Sequence, residues 1–248
     1  MTRTSSKTTV TPRDFAAHFY LMGCVDFDDC QSLQRRLAYD ALTRGDGRIA
    51  VLVCEHPPLV TIGRAGSCEQ VRLAGTELSQ RQLTVRYMSR GGGAILHGPG
   101  QLAVYPIVPL EWHGWTVGEC LRKLQSALHS TLSDLKIRPR AKQGSYSLWG
   151  RSGLLAAIGL SVKHGVTLQG AFINVNPDMR DQLRIAVANG QTMTSILSER
   201  PAPVRMTAVR AALVTHLATA LGCERHHLHT GHPHLPDLPL SDAREQAA

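Results

Sequence analysis

Between residues 144 and 175 the chain carries three apolar stretches, 144–149, 154–163 and 166–175, separated by turns of at most four residues. A parallel crossover needs a dozen or more residues to return along a sheet, so spacing this tight makes neighbouring strands antiparallel. The strand pattern also extends upstream. Arg48 to Cys54 (R-I-A-V-L-V-C) is rich in β-branched residues and closes at Pro57-Pro58, residues 59–62 form a second short strand, and residues 102–108 are again apolar. Residues 82–88 alternate apolar and polar, as a half-buried strand does.

Helical periodicity punctuates these strands. Asp26 can cap a helix whose apolar positions are Phe27, Cys30, Leu33, Leu37 and Ala41, stopped by Gly45-Asp46-Gly47. A second apolar face runs through Val117, Cys120, Leu121, Leu124, Leu128 and Leu132 and ends near Lys136. A third runs through Val204, Ala208, Val209, Ala212, Leu213 and Leu217. The fold class expected is α+β: one domain, a mixed β-sheet with helices packed on one side, and no repeats. The domain spans residues 15–224, between a polar Thr/Ser-rich tail (1–14) and a His/Pro-rich tail (225–248).

Composition narrows the setting. A chain of 248 residues with 43% hydrophobic and 19% charged content can bury one substantial core. No run of eighteen apolar residues exists, so no membrane span is expected, and the polar start argues against a secretory signal. The six cysteines form no C-x-x-C pair, which points to a reducing, cytoplasmic setting. A formal charge of +8 favours an acidic partner. With only 5% aromatic residues, base-stacking platforms are scarce and nucleic acid is the poorer candidate.

The densest chemical signal is Ser89 to Gln101, S-R-G-G-G-A-I-L-H-G-P-G-Q. Five glycines in this span bring backbone close to another group, and Arg90, His97 and Gln101 add more than a plain turn requires. The phosphate-loop pattern G-x-x-x-x-G-K-[ST] is absent, and no helix follows that would make a dinucleotide site.

R-G-G-x-x-x-x-H-G-P-G-Q resembles the signature of the lipoyl(octanoyl) transferases, together with Glu55-His56-Pro57-Pro58 and Thr61-Ile62-Gly63-Arg64 upstream. Ala156 to Gly159, Gly170 to Asn176 and Trp149 match further blocks in the same order, from about Leu21 to Leu221. The resemblance implies a biotin/lipoate-ligase-like α+β fold. It implies transfer of an octanoyl group from acyl carrier protein to a lysine of a lipoyl domain, in 2-oxoacid dehydrogenases or the glycine cleavage H protein. It implies no cofactor and no metal. The acyl-binding residues carried over are Arg90, Gly91, Gly92, Gly93, Ala94, Ile95, Leu96 and His97, then Ala157, Ile158 and Gly159, then Gly170, Ala171 and Phe172.

In the family a cysteine forms a thioester and a lysine activates it, because a thiolate is the competent nucleophile and an adjacent ammonium lowers its pKa. Here Leu154 stands at the lysine's place and Asn189, in R-I-A-V-A-N-G, at the cysteine's. The family's T-Y-H-G reads Thr167-Leu168-Gln169-Gly170. The catalytic residues are therefore unknown from sequence. An amide at 189 could still donate to an acyl carbonyl. His97 is the retained candidate base, with a loop-shaping partner as the even alternative, and Cys68 is the candidate relocated nucleophile.

Three readings follow: an acyltransferase by an altered route, a non-catalytic relative that binds an acyl chain, carrier or lipoyl domain, and an ATP-using lipoate ligase. The last also requires a lysine where Leu154 stands. Outside the family blocks, His226, His227, His229, His232 and His234 form an imidazole-rich cluster; a solvated tail is expected, and a metal site is the alternative.

Overall fold

The computed structural model describes residues 15–182, 192–200, 202–223 and 225–235. The chain opens with β1 (Ala16–Cys24), α1 (Phe27–Arg44), β2 (Ile49–Glu55) and β3 (Leu59–Ile62). A single 3-10 turn at Cys68–Gln70 leads to α2 (Gly75–Gln80), β4 (Thr84–Tyr87), β5 (Ala94–His97) and β6 (Gln101–Ile107). Then come α3 (Leu110–His113), α4 (Val117–Asp134), β7 (Arg140–Ala141), β8 (Leu148–Trp149), β9 (Leu154–Lys163) and β10 (Val166–Asn174). The described chain ends with α5 (Met179–Gln182), α6 (Ile196–Glu199), α7 (Met206–Leu221) and β11 (Arg225–Thr230).

Eight strands form the main sheet in the order β11-β1-β2-β6-β10-β9-β8-β7, and β4-β3-β5 form a smaller one. The tight turns after residue 144 do give antiparallel pairs, β8 with β9 and β9 with β10. At the other end β1 runs parallel to β2, with α1 as the return crossover between them, and parallel to β11, which follows α7.

The helices occupy both faces, not one. Helices α4 and α7 bury Leu124, Leu128, Leu213 and Leu217 against Val51, Val53, Leu102 and Val104. Helix α1 buries Cys30, Leu33 and Ala38 on the opposite face, against Ala50, Leu52, Cys54, Ala103 and Tyr105. The missed cue was β2 itself: I-A-V-L-V-C-E is apolar at successive positions and buried throughout, as a strand covered on both faces must be.

Caps fix the helix ends. The Asp26 carboxylate accepts from the amides of Asp28 at 2.8 Å and Asp29 at 3.0 Å, and α1 stops at Gly45 with φ +60°. Helix α4 opens with a capping box in which Glu119 accepts from the Thr116 amide at 2.7 Å.

Three other differences from expectation matter. Residues 94–97, read within a loop, are β5, paired with β3. Residues 84–87, expected half-buried, are a largely exposed edge strand. Residues 225–230, read as part of a tail, add a parallel edge strand to β1. Residues 1–14 and 236–248 lie outside the described residues. Among the described residues no helix is long and apolar enough to cross a membrane.

Candidate functional site

The glycine tract enters β5 across the face of β9. The Gly91 amide donates to the Leu160 carbonyl at 3.3 Å, and a Cβ at Gly159 would collide with the Gly91 carbonyl. Gly92 has φ +84°, a conformation that costs any side-chain-bearing residue free energy. These two glycines let the backbone of residues 91–93 lie against the sheet and leave a cleft of about 290 Å3 beside it.

Arg90, Gly91, Gly92, Gly93, Ala94 and Ile95 line this cleft, as do Ala157, Ile158, Gly159 and Leu154. Sequence reasoning missed Lys142, Gln143, Gly144, Ser145 and Ser147, which with Trp149 form the opposite wall. Nothing in K-Q-G-S-Y-S signals a site; only the register of β8 on β9 brings it there, where Ser147 Oγ accepts from the Ile158 amide at 3.0 Å. Lys142 holds its ammonium 4.7 Å from the Trp149 ring centroid at the rim.

Leu96, His97, Gly170, Ala171 and Phe172 do not line the cleft. Gly170, Ala171 and Phe172 pair in register with Gly159, Ile158 and Ala157, so they stand on the neighbouring strand of the sheet, beside the wall. The Phe172 ring meets the His97 ring edge-on at 4.5 Å and lies 5.7 Å below the Arg90 guanidinium.

His97 belongs to a buried chain of hydrogen bonds whose directions can be worked out. Gln101 Nε2 donates to the Leu96 carbonyl and to Asn174 Oδ1, each at 2.9 Å, so Gln101 Oε1 is the acceptor. His97 Nδ1 therefore carries the proton and donates to it at 2.8 Å. The free lone pair on Nε2 faces Thr61 Oγ1 at 2.8 Å, and that hydroxyl accepts in turn from Arg90 Nη2 at 2.7 Å. Asn174 Nδ2 completes the run by donating to the Thr194 carbonyl at 3.0 Å. Burial first, then the charges of His56 and Arg90, hold the His97 imidazole well below its ordinary pKa.

Among the described residues Arg90 has no acidic partner. Its guanidinium donates to the carbonyls of Gly91 and Thr61 at 3.0 Å each, and burial lowers its pKa to about 10, so it stays charged at neutral pH. Among the described residues Arg90 thus places a buried positive charge in the cleft wall, and Lys142 an exposed one at its rim. Gln169, where the family has histidine, is buried with its amide N–H donating to Gln34 on α1 at 2.9 Å and its side chain bonded to Gln31.

Leu154 is 6% exposed and contributes only hydrocarbon to the cleft. Its amide and carbonyl bond residues 192 and 194 at 2.9 Å. Asn189 and residues 184–190 lie outside the described residues. Burial pushes the thiols of Cys24, Cys120 and Cys223 up to about 12 and that of Cys54 well above its ordinary value. Cys68 is exposed on the 3-10 turn, with Sγ 2.6 Å from the Tyr87 hydroxyl. It does not line the cleft, though Gln70, two residues on, accepts from the Ala94 amide at 2.7 Å.

This architecture is that of the lipoate ligases. A putative lipoate protein ligase from Thermoplasma acidophilum, solved with lipoic acid, superimposes with TM-score 0.65 over 93% of this chain and 94% of that one, at 17% identity. A lipoate-protein ligase A solved with ATP superimposes with TM-score 0.61 over 94% and 93%, at 15% identity. An octanoyltransferase from Roseiflexus sp. is 34% identical over 83% of this chain and 87% of its own length. One from Geotalea uraniireducens is 33% identical over 77% and 86%. The family model of the lipoyl protein ligase A/B catalytic domain matches residues 26–218. The chain belongs to the lipoyl protein ligase A/B family, alongside the octanoyltransferases.

Proposed function

We propose that the cleft holds an octanoyl chain and that the protein passes it from acyl carrier protein to a lipoyl-domain lysine without an acyl-enzyme. The observation that carries this reading is the cleft itself. Its floor is bare glycine backbone and its sides are Ile95, Leu154, Ala157 and Ile158, a slot that admits a straight alkyl chain.

With Leu154 at the place of the activating lysine and Asn189 at that of the cysteine, the step left is direct aminolysis. The substrate amine attacks the carrier thioester carbonyl, the C–N bond forms, the C–S bond breaks, and the departing thiolate takes the proton lost by the amine. Arg90 behind the loop and Lys142 at the rim supply positive potential toward the carbonyl and toward an acidic carrier. His97 serves as a positioning residue for the loop, since its one lone pair is occupied by the Thr61 hydroxyl. The acceptors are lipoyl domains of 2-oxoacid dehydrogenases or the glycine cleavage H protein, in the cytoplasm.

The filling of the lysine's place by a buried leucine favours a second reading, in which the chain binds acyl carrier or lipoyl domain without turnover. Intact-protein mass spectrometry separates them. The full chain is incubated with octanoyl-acyl carrier protein and apo lipoyl domain. Gain of one octanoyl group by the lipoyl domain, with no adduct on the chain, supports direct transfer. A thiol-labile adduct on the chain overturns the direct route, and carrier binding with no mass change in any partner overturns transfer altogether.

A further inference from the structure

A second, more open groove of about 550 Å3 adjoins the acyl cleft, and Lys142 and Trp149 line both. The two cavities differ in character. The cleft sets Ile95, Leu154, Ala157 and Ile158 against glycine backbone, whereas the groove carries Arg140, Arg151 and Ser152. An acyl-carrier thioester is divided in the same way, with an alkyl chain on one side of its carbonyl and a polar, anionic arm on the other. With the alkyl chain in the cleft and the arm in the groove, the reacting carbonyl falls where the cavities meet.

Strand register decides what stands at that junction. Trp149 pairs with Arg140 on β7 and with Leu154 on β9, so the three side chains share one face of the sheet. By alternation Lys142, two residues beyond Arg140, returns to the same face, and its ammonium lies 4.7 Å from the Trp149 ring centroid. Among the described residues that line the two cavities there is no aspartate, glutamate, histidine or cysteine. The ionisable side chains are Arg90 and Lys142 in the cleft, with Arg140 and Arg151 in the groove. A guanidinium keeps its protons throughout, but an amine gives one up and takes one back. Lys142 is therefore the side chain in this lining that can move a proton.

We propose that Lys142 is the catalytic proton carrier of the direct transfer, acting at the junction of cleft and groove. The assignment rests on the reading of the cleft as an acyl slot. As the substrate nitrogen bonds to the carbonyl carbon, the C–S bond breaks and the sulfur leaves with the electron pair. Lys142 Nζ gives that sulfur a proton and recovers one from the new amide nitrogen, so the lysine ends as it began. Trp149 is a positioning residue: the face of its ring attracts the ammonium and confines a flexible stem. Lys142 differs in this from the family's lysine, since it serves the leaving sulfur and the attacking amine and not an enzyme thiol.

The test is single-turnover transfer from octanoyl-acyl carrier protein to an apo lipoyl domain, followed by intact mass, with carrier affinity read separately by calorimetry. Lys142→Arg keeps the charge and loses the mobile proton. Its rate at saturating carrier should fall at least about a hundredfold while carrier affinity stays within about threefold of the parent's. Lys142→Gln should lose as much rate. Trp149→Leu should lose about tenfold, and Lys163→Gln, which removes the same charge from the far end of β9, should lose none. Transfer by the parent that survives Lys142→Arg overturns the proposal and leaves direct transfer standing with Lys142 as a charge alone. A rate that falls only in step with carrier affinity reassigns Lys142 to docking and overturns it too. A thiol-resistant octanoyl group on Lys142 overturns it as well, because the amine then takes the acyl group in place of the proton. No transfer by the parent overturns the direct-transfer reading itself, and the role of Lys142 with it.

Discussion

Lowering the pH below about 6.5 should destabilise the folded chain through His56, and the magnitude can be worked from its surroundings. Its Nδ1–H donates to the Val25 carbonyl at 2.7 Å, which can only accept, so Nε2 is left to accept from the Tyr105 hydroxyl at 2.7 Å. The neutral ring therefore satisfies both nitrogens, and a second proton would set two donors against each other. Burial lowers its pKa from 6.5 to about 4, against the opposing pull of the Val25 carbonyl and Asp26. In the unfolded chain the same ring takes up a proton near its ordinary value. Between the two values the unfolded state binds more protons, so stability present above about pH 6.5 is lost as pH falls. By linkage the loss at about pH 5 is roughly 2 kcal/mol for His56 alone. His97 adds to it with the same sign, since burial also pushes its pKa down.

Urea unfolding followed by far-UV circular dichroism near pH 7 and near pH 5 measures this directly, and His56→Asn isolates it. Asparagine keeps a donor and an acceptor but cannot titrate. The variant should be less stable at both pH values, yet its loss on acidification should be smaller than the parent's by about 2 kcal/mol. Equal losses in the two proteins would refute the assignment of the neutral, doubly bonded ring.

Other outcomes follow from the same contacts. Gly159→Ala drives a methyl into the Gly91 carbonyl, so the glycine loop must lift; octanoyl binding, read by fluorescence of a labelled acyl chain, should weaken at least about tenfold. Gln101→Leu leaves the His97 Nδ1–H and the side-chain Oδ1 of Asn174 without partners in the core, at about 1–3 kcal/mol, visible as a fall of several degrees in Tm. Ellman titration of the native chain should find one fast thiol, Cys68, with the five buried cysteines reacting only on unfolding. The double substitution Leu154→Lys and Asn189→Cys should create a thiol-labile octanoyl adduct after incubation with the acyl carrier thioester, detected by mass; neither single change should do so.

Periodicity carried much of the fold, because a 3.6-residue apolar repeat as clear as that of Val117 to Leu132 has one reading. Strand pairing beyond near neighbours was not legible. Nothing in R-H-H-L-H-T announces a strand, since its residues are exposed and polar; it becomes one by borrowing hydrogen bonds from β1. The second helical layer was hidden for a different reason. A strand buried on both faces, such as Ile49–Glu55, shows no alternation, and continuous apolarity does not say how many helices cover it. At the site, the glycine tract was legible because positive φ at Gly92 and Gly100, and the Asn176 carbonyl against Gly100, favour glycine there. The facing wall, Lys142 to Ser147, was not, because it consists of ordinary polar residues placed by register alone.

The hydrogen-bond chain from Arg90 through Thr61, His97 and Gln101 to Asn174 bears on what the family motif means in this protein. Each of its side chains is at most 4% exposed, and none of its bonds depends on a bound substrate. Buried polar groups without partners cost about 1–3 kcal/mol each, so once one member of such a chain is present the others are required by folding alone. Retention of R-G-G and H-G-P-G-Q therefore speaks for the shape of the loop and the cleft it creates, whichever way the acyl group travels. The family's chemistry is separable from that scaffold: Leu154 on β9, at the place of the family's lysine, takes no part in the network. The network and the cleft beside it can thus stand with leucine at the lysine's place. That is why the double substitution, whose change at Leu154 lies outside the network, is the sharper probe of this protein's activity than any replacement within the glycine loop.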